Sequence, residues 1–280
     1  MKVTLLGTGS PIPSATCAGP STLVQAGTQN ILVDAGRGVI MRLMGAMMPP
    51  PFLTAVVLTH LHSDHICDLN DVITTRWVAS PAAGPLPIYG PIGTRAMVDG
   101  LLAMLAHDES YRLAHHDDLR AAGGMKVEVH EVEAGTTFVL GDVSISVHAT
   151  DHRPVAPTIG FRIEHDGVVA ALAGDTIPCD GLYDLCQDAD IYVQTVLRED
   201  LVRTFAPLVP TTERFLDILD YHSTVEQAGQ TAARCNVKTL LLTHFVPAIQ
   251  PGQEDEWRSM AAAHFSGEII VGPDLTSVEK

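Results

Sequence analysis

Thr59-His60-Leu61-His62-Ser63-Asp64-His65 sets four potential metal ligands within six residues, directly behind the apolar run Ala55-Val56-Val57-Leu58. Imidazole nitrogens and carboxylate oxygens are donors that suit Zn²⁺ and related ions. Two imidazoles one residue apart, His60 and His62, can converge on one ion from a turn, while Asp64 and His65 face a second. A lone histidine in a loop is ordinarily a solvated residue, but four donors behind a buried strand are not a surface-turn pattern. After His65, the residues Ile66, Leu69, Ile73 and Trp77 recur at steps of three and four, which predicts a helix opening straight after the turn. The chemistry is thus expected at a strand-to-helix junction.

Outward from this turn, short β-branched runs at 3–6, 21–25, 31–33 and 55–58 alternate with Gly, Pro and Asn turns and predict a sheet. Residues 37–47 have helical spacing, stopped by Pro49-Pro50-Pro51. Residues 79–120 are the least regular part, with Pro81, Pro85, Pro87 and Pro91 ahead of an amphipathic stretch from Thr94 to Leu105, and are expected to form a lid or interface insertion; His107, His115 and His116 there read as a solvated acidic loop. A second set of strands is predicted at 126–132, 143–149, 158–163, 168–173 and 191–196, then helices at 223–235 and 254–264 alternating with strands at 239–242 and 268–271. Two strand-rich halves finished by helices predict an α+β sandwich of sheets covered by helices, in a single domain over 1–280.

Composition narrows the function. With 46% hydrophobic and 18% charged residues, the 280-residue chain has the profile of a globular enzyme rather than a disordered segment. The net charge of −16 disfavours a sequence-independent nucleic-acid binder, so nucleic acid is not the expected partner. No apolar stretch approaches the length of a membrane span, and Met1 leads straight into Lys2-Val3-Thr4-Leu5-Leu6 without a signal-peptide layout, so a cytoplasmic protein is expected. Cys17, Cys67, Cys179, Cys186 and Cys235 are odd in number and scattered, which points to buried thiols rather than a disulfide framework.

The His-x-His-x-Asp-His pattern of 60–65 resembles the hallmark of the metallo-β-lactamase-fold superfamily. Leu6-Gly7-Thr8-Gly9-Ser10-Pro11, Leu32-Val33-Asp34-Ala35-Gly36-Arg37-Gly38, Gly174-Asp175-Thr176, His222-Ser223-Thr224 and Leu242-Thr243-His244-Phe245 resemble, in order, the motifs of its ribonuclease Z and arylsulfatase-like branch. The resemblance spans nearly the whole chain and implies a four-layered αββα sandwich. It implies that His60, His62 and His152 hold one Zn²⁺, that Asp64, His65 and His244 hold the other, and that Asp175 bridges them; Mn²⁺ or iron are alternatives to two Zn²⁺ per chain. His152 is preferred to His148 because it follows a predicted strand, whereas His148 lies inside one. Asp64 and His222 are the expected catalytic residues, His222 as a proton or hydrogen-bond donor at a helix start where Ser223 and Glu226 suggest a capping box. Asp34 is expected to orient a ligand histidine. The branch also implies a homodimer.

Two departures shape the expected substrate. Ribonuclease Z enzymes carry a long arm between the third metal histidine and the bridging aspartate, yet His152 and Asp175 are only 23 positions apart. Where the family has His-Glu-Ala-Thr, this chain has Val193-Gln194-Thr195-Val196, so the acidic partner of His222 is missing. With the acidic net charge, these departures predict a dinuclear zinc hydrolase of a small ester, a phosphodiester or sulfate ester, attacked by metal-bound hydroxide. A lactonase or other cyclic acyl or amide hydrolase is the alternative, ahead of a tRNA 3′ endonuclease or a non-catalytic metal-binding protein.

Overall fold

The computed structural model describes residues 1–280. The first half builds strands β1 (Lys2–Gly7), β2 (Ser21–Ala26), β3 (Gln29–Val33), β4 (Ala55–Val57), β5 (Leu86–Gly90) and β6 (Val127–Glu131). Between them run helices α1 (Val39–Gly45), α2 (Ser63–Ile66), α3 (Leu69–Ala79), α4 (Thr94–His115) and α5 (Asp117–Ala122). The second half supplies β7 (Thr137–Leu140), β8 (Val143–Ala149), β9 (Ile159–His165), β10 (Val168–Leu172), β11 (Ile191–Leu197), β12 (Thr239–Val246) and β13 (Glu268–Ile270). Its helices are α6 (Asp180–Cys186), α7 (Glu199–Phe205), α8 (Thr212–Asp217), α9 (Val225–Arg234) and α10 (Glu254–Ala262), and a last strand β14 (Ser277–Glu279) returns to the first sheet.

Two seven-stranded sheets result, ordered β14-β1-β2-β3-β4-β5-β6 and β13-β12-β11-β10-β9-β8-β7. The sequence of β8, Val-Ser-Ile-Ser-Val-His-Ala, shows why: Val143, Ile145 and Val147 turn inward while the residues between them turn out. These three meet Val24, Ile31 and Val57 of the other sheet in an apolar layer. On the outer face of the first sheet, α1, α3 and α4 cover Leu32, Val56 and Ile88. On that of the second, α6, α9 and α10 cover Ala171, Tyr192 and Leu242. This is the four-layered αββα sandwich predicted from the sequence. Central strands β11 and β12 are buried along their whole length because both faces are covered, so neither alternates between buried and exposed positions.

The segment 79–120 differs from its expectation. It is no irregular insertion: β5 pairs in parallel with both β4 and β6 inside the first sheet, and α4 is a regular helix. The prolines misled because Pro81, Pro85 and Pro91 lie outside the strand, and Pro87 is tolerated within it. His107 and His115 stand on α4, not in a loop. No helix is long and apolar enough to cross a membrane.

Strand ends aim at one edge of the sandwich. The residues after β3, β4, β10 and β11, the loop after β8 and the C-terminal part of β12 all arrive there, the place where open α/β sheets ordinarily take their ligands.

Candidate metal centre

His60 and His62 leave β4 on an extended turn, and Asp64 and His65 follow in the single helical turn α2. Backbone bonds clamp this turn to the Asp34 turn: Ala35 N–H donates to the His65 carbonyl at 2.6 Å and Asp68 N–H to that of Ala35 at 3.0 Å. Gly36 has to be glycine, since a Cβ would lie 2.6 Å from the Asp64 carbonyl oxygen. Gly174, before Asp175, has φ +66°, and a Cβ there would sit 2.7 Å from that of Thr59. Asp34 and His244 hold left-handed backbone themselves, at φ 60° and 51°. For side chains other than glycine such conformations cost energy, and they gather at functional sites.

One donor group is His60, His62, His152 and Asp175; the other is Asp64, His65 and His244, and within each the donor atoms lie within 4.8 Å of one another. His60 Nε2 and His152 Nε2 lie 3.1 and 3.2 Å from His62 Nδ1. Asp175 Oδ2 stands centrally, 3.4 Å from His65 Nε2, 3.5 Å from His244 Nε2, 3.3 Å from His222 Nε2, and 3.9 Å from both His60 and His152 Nε2. His244 Nε2 is 3.3 Å from Asp64 Oδ2. All the residues predicted as ligands except His62 are buried. His148 is not among them; its ring contacts Ser146 on β8.

The second faces of these rings fix their orientation. Asp34 Oδ2 accepts from His65 Nδ1 at 2.8 Å and from Thr59 Oγ1 at 2.8 Å, and Oδ1 accepts from Thr59 N–H at 2.8 Å. Thr59 Oγ1 lies 3.1 Å from His60 Nδ1, so Asp34 steers one imidazole directly and a second through the threonine. His152 Nδ1 donates to the Tyr221 carbonyl at 2.8 Å and His222 Nδ1 to the Ile218 carbonyl at 3.0 Å. In each case the partner fixes the tautomer and leaves Nε2 toward the cluster. The sequence offered no signal for the last two, because a carbonyl belongs to every residue.

His222 is thus held by a carbonyl rather than a carboxylate, while Thr195 Oγ1 donates to the Gly174 carbonyl instead. The predicted cap is shifted by one residue. Thr224, not Ser223, caps α9, accepting from Gln227 N–H while the Gln227 side chain accepts from Thr224 N–H. Ser223 Oγ donates to the Thr176 carbonyl at 2.7 Å and ties the His222 turn to the Asp175 turn. Thr224→Ala is expected to cost about 1 kcal/mol of stability, read as a drop in melting temperature.

Donor chemistry fits bound cations. Buried His65 Nε2, His244 Nδ1 and Asp175 Oδ1 have no hydrogen-bond partner. Protein interiors rarely leave such atoms unpaired, and each costs about 1–3 kcal/mol. Burial pushes His60 and His62 below the ordinary histidine value and His152 down to about 4, so these rings are neutral and their lone pairs free. Burial acts on His65 and His244 the same way, but Asp175, with Asp34 for the first and Asp64 for the second, outweighs it and raises both. Burial alone would raise Asp175 and Asp64; the surrounding imidazoles reverse this and keep both carboxylates charged. A dinuclear metal site accounts for two groups of nitrogen donors arranged about shared carboxylates.

Residues 29–245 match the family model described as a beta-lactamase superfamily domain. The chain is 53% identical over 281 residues to Ribonuclease Z of Mycolicibacterium gilvum, covering 100% of this chain and 96% of that protein. It is 52% identical to Ribonuclease Z of Mycobacterium tuberculosis, covering 100% and 98%. Among solved structures it resembles the metallo-beta-lactamase fold protein YhfI from Bacillus subtilis, with a TM-score of 0.74, 24% identity and coverage of 100% and 99%. Against the short form of human tRNase Z the TM-score is 0.71, at 24% identity and coverage of 100% and 99%.

These relatives overturn two expectations, the small-ester substrate and the reading that disfavoured nucleic acid as partner. Proteins sharing about half of all residues along the full chain carry the name of a ribonuclease. The missing arm does not separate this chain from them, since they match over 96–98% of their own length in an alignment of 281 residues. Net charge failed as a criterion because a substrate responds to the local field of a cleft, not to the sum over the surface. The chain is a metal-dependent hydrolase, and it belongs to the ribonuclease Z family of the metallo-β-lactamase-fold superfamily.

Proposed function

We propose that the chain is an endoribonuclease that cleaves precursor tRNA at its 3′ side, with two Zn²⁺ ions as cofactor. The supporting observation is the full-length similarity to proteins named Ribonuclease Z. In this reading His60, His62, His152 and Asp175 would hold one ion and Asp64, His65 and His244 the other, a nitrogen-rich donor set that suits zinc. Such a pair, when bound, polarises a phosphoryl oxygen and brings the pKa of water near neutrality.

The remaining work falls to side chains of this protein. Asp64, whose Oδ2 lies 3.3 Å from His244 Nε2 inside the cluster, is placed to take up the proton of the attacking water. His222, anchored through Nδ1–H to the Ile218 carbonyl, acts in its imidazolium form: the Nε2 proton passes to the departing ribose oxygen as the P–O bond breaks, and the ring is left neutral. Burial of Asp175, His60, His65, His152 and His244 keeps competing water from their polar atoms, while His62 faces the cleft through which substrate enters.

Purified protein supplied with Zn²⁺ is expected to release the 3′ trailer from a precursor tRNA, and to lose that activity on chelation. Chelation is also expected to lower the melting temperature by on the order of 10 °C, because bound metal stabilises only the folded state. Zinc-replete protein that leaves a panel of precursors intact would overturn the reading.

A further inference from the structure

We infer that Arg214 anchors a backbone phosphate of the RNA substrate beside the metal centre; the inference deepens the ribonuclease reading and rests on it. A cleft of about 440 Å³ is lined by His62 and His152 of the site together with Arg214, Asp217, Asp220 and Tyr221. That volume lies in the range of small-ligand sites. In a chain of net charge −16, a polyanion needs a local cation at this place. The cleft holds two. Arg153 is already neutralised by Asp151, with Nε 2.8 Å from Oδ1 and a second bond to Oδ2 at 2.5 Å. Arg214, on the exposed side of α8, makes no hydrogen bond or ion pair through its guanidinium and is the free fork in the cleft. A planar guanidinium matches two phosphate oxygens at once.

Asp217 and Asp220 also line the cleft; carboxylates repel phosphate and suit base amino or ribose hydroxyl groups, which leaves Arg214 as the group there that favours the backbone. The wall is well placed to serve the reaction. The stretch that carries Arg214 continues to Ile218 and Tyr221, whose carbonyls hold His222 and His152. Phe215, Leu216 and Leu219 dock it on Leu197, Val202 and Val246, a small cluster separate from the main cores.

The test is binding of a precursor tRNA, followed by fluorescence anisotropy across a salt series, with cleavage of the same RNA measured in parallel. Arg214→Ala is expected to weaken binding about tenfold and to flatten the slope of log affinity against log salt by about one, with metal content and melting temperature unchanged. Arg214→Lys is expected to regain the slope but only part of the affinity, since an ammonium lacks the fork. A loss of packing alone would lower affinity without changing the slope. If the alanine variant keeps wild-type affinity and slope, the inference is wrong, whether or not the RNA is cleaved. Binding that depends on Arg214 without cleavage supports the anchor and overturns the ribonuclease reading; wild-type protein that does not bind the RNA overturns both.

Discussion

Asp175→Ala is expected to reduce RNA cleavage by at least about 10³-fold and to drop the protein below dinuclear metal content. The reason is geometric. Oδ2 of this one carboxylate lies within 3.9 Å of His60, His65, His152, His222 and His244, which come from both halves of the chain. Removing it takes a negative charge and an oxygen donor from the middle of two nitrogen-rich groups and leaves the apolar layers untouched. The fold, carried by three apolar layers, is therefore expected to survive. Elemental analysis of dialysed protein, alongside the cleavage rate, checks both parts. A variant with full metal content and wild-type rate would remove Asp175 from the centre of the site.

Asp34→Ala is expected to damage stability and metal affinity together. Asp34 is buried and accepts from three donors, Thr59 N–H, Thr59 Oγ1 and His65 Nδ1. Stranding them costs about 1 kcal/mol or more apiece, so a loss of at least about 3 kcal/mol is expected in metal-free protein. Metal affinity should fall about 10–100-fold, because His65 loses its anchor and His60 loses its support through Thr59. Asp34→Asn separates the two effects: asparagine tolerates the left-handed backbone at φ 60° and keeps an acceptor for Thr59, but it cannot accept from all three. Thermal unfolding without metal and metal titration of both variants measure the two losses. A metal affinity within twofold of wild type in Asp34→Ala would end the orienting role.

Much of this architecture was legible because apolar runs that end in a turn mark strand ends, and strand ends are where the site assembles. His152, implied by the resemblance, was preferred to His148 for its place after a strand, and the structure brings His152 to the cluster while His148 stays on β8. Less legible was whatever depends on tertiary neighbours. The prolines of 79–91 read as disruption, yet β5 is an interior strand, because a proline breaks a sheet only where its missing N–H was needed. The cap of α9 slipped by one residue because Ser223 and Thr224 are equivalent on paper, and only the Thr176 carbonyl draws the serine away. Gln194 and Thr195 were read correctly as residues, but their bearing on substrate was not contained in them: a backbone carbonyl holds His222 instead. Arg214 carried no motif at all, and its place beside the metal centre emerges only once α8 is folded against the site.

The centre takes His60, His62, Asp64 and His65 from the half of the chain that builds the first sheet, and His152, Asp175 and His244 from the half that builds the second. Neither half holds a complete donor set, and His62 meets His152 across 90 residues of chain. Cofactor affinity is consequently a gauge of how tightly the two sheets press together. A cavity cut into the layer between them, as by Val57→Ala or Ile145→Ala, is expected to loosen the hold on bound metal although neither residue touches the donor groups.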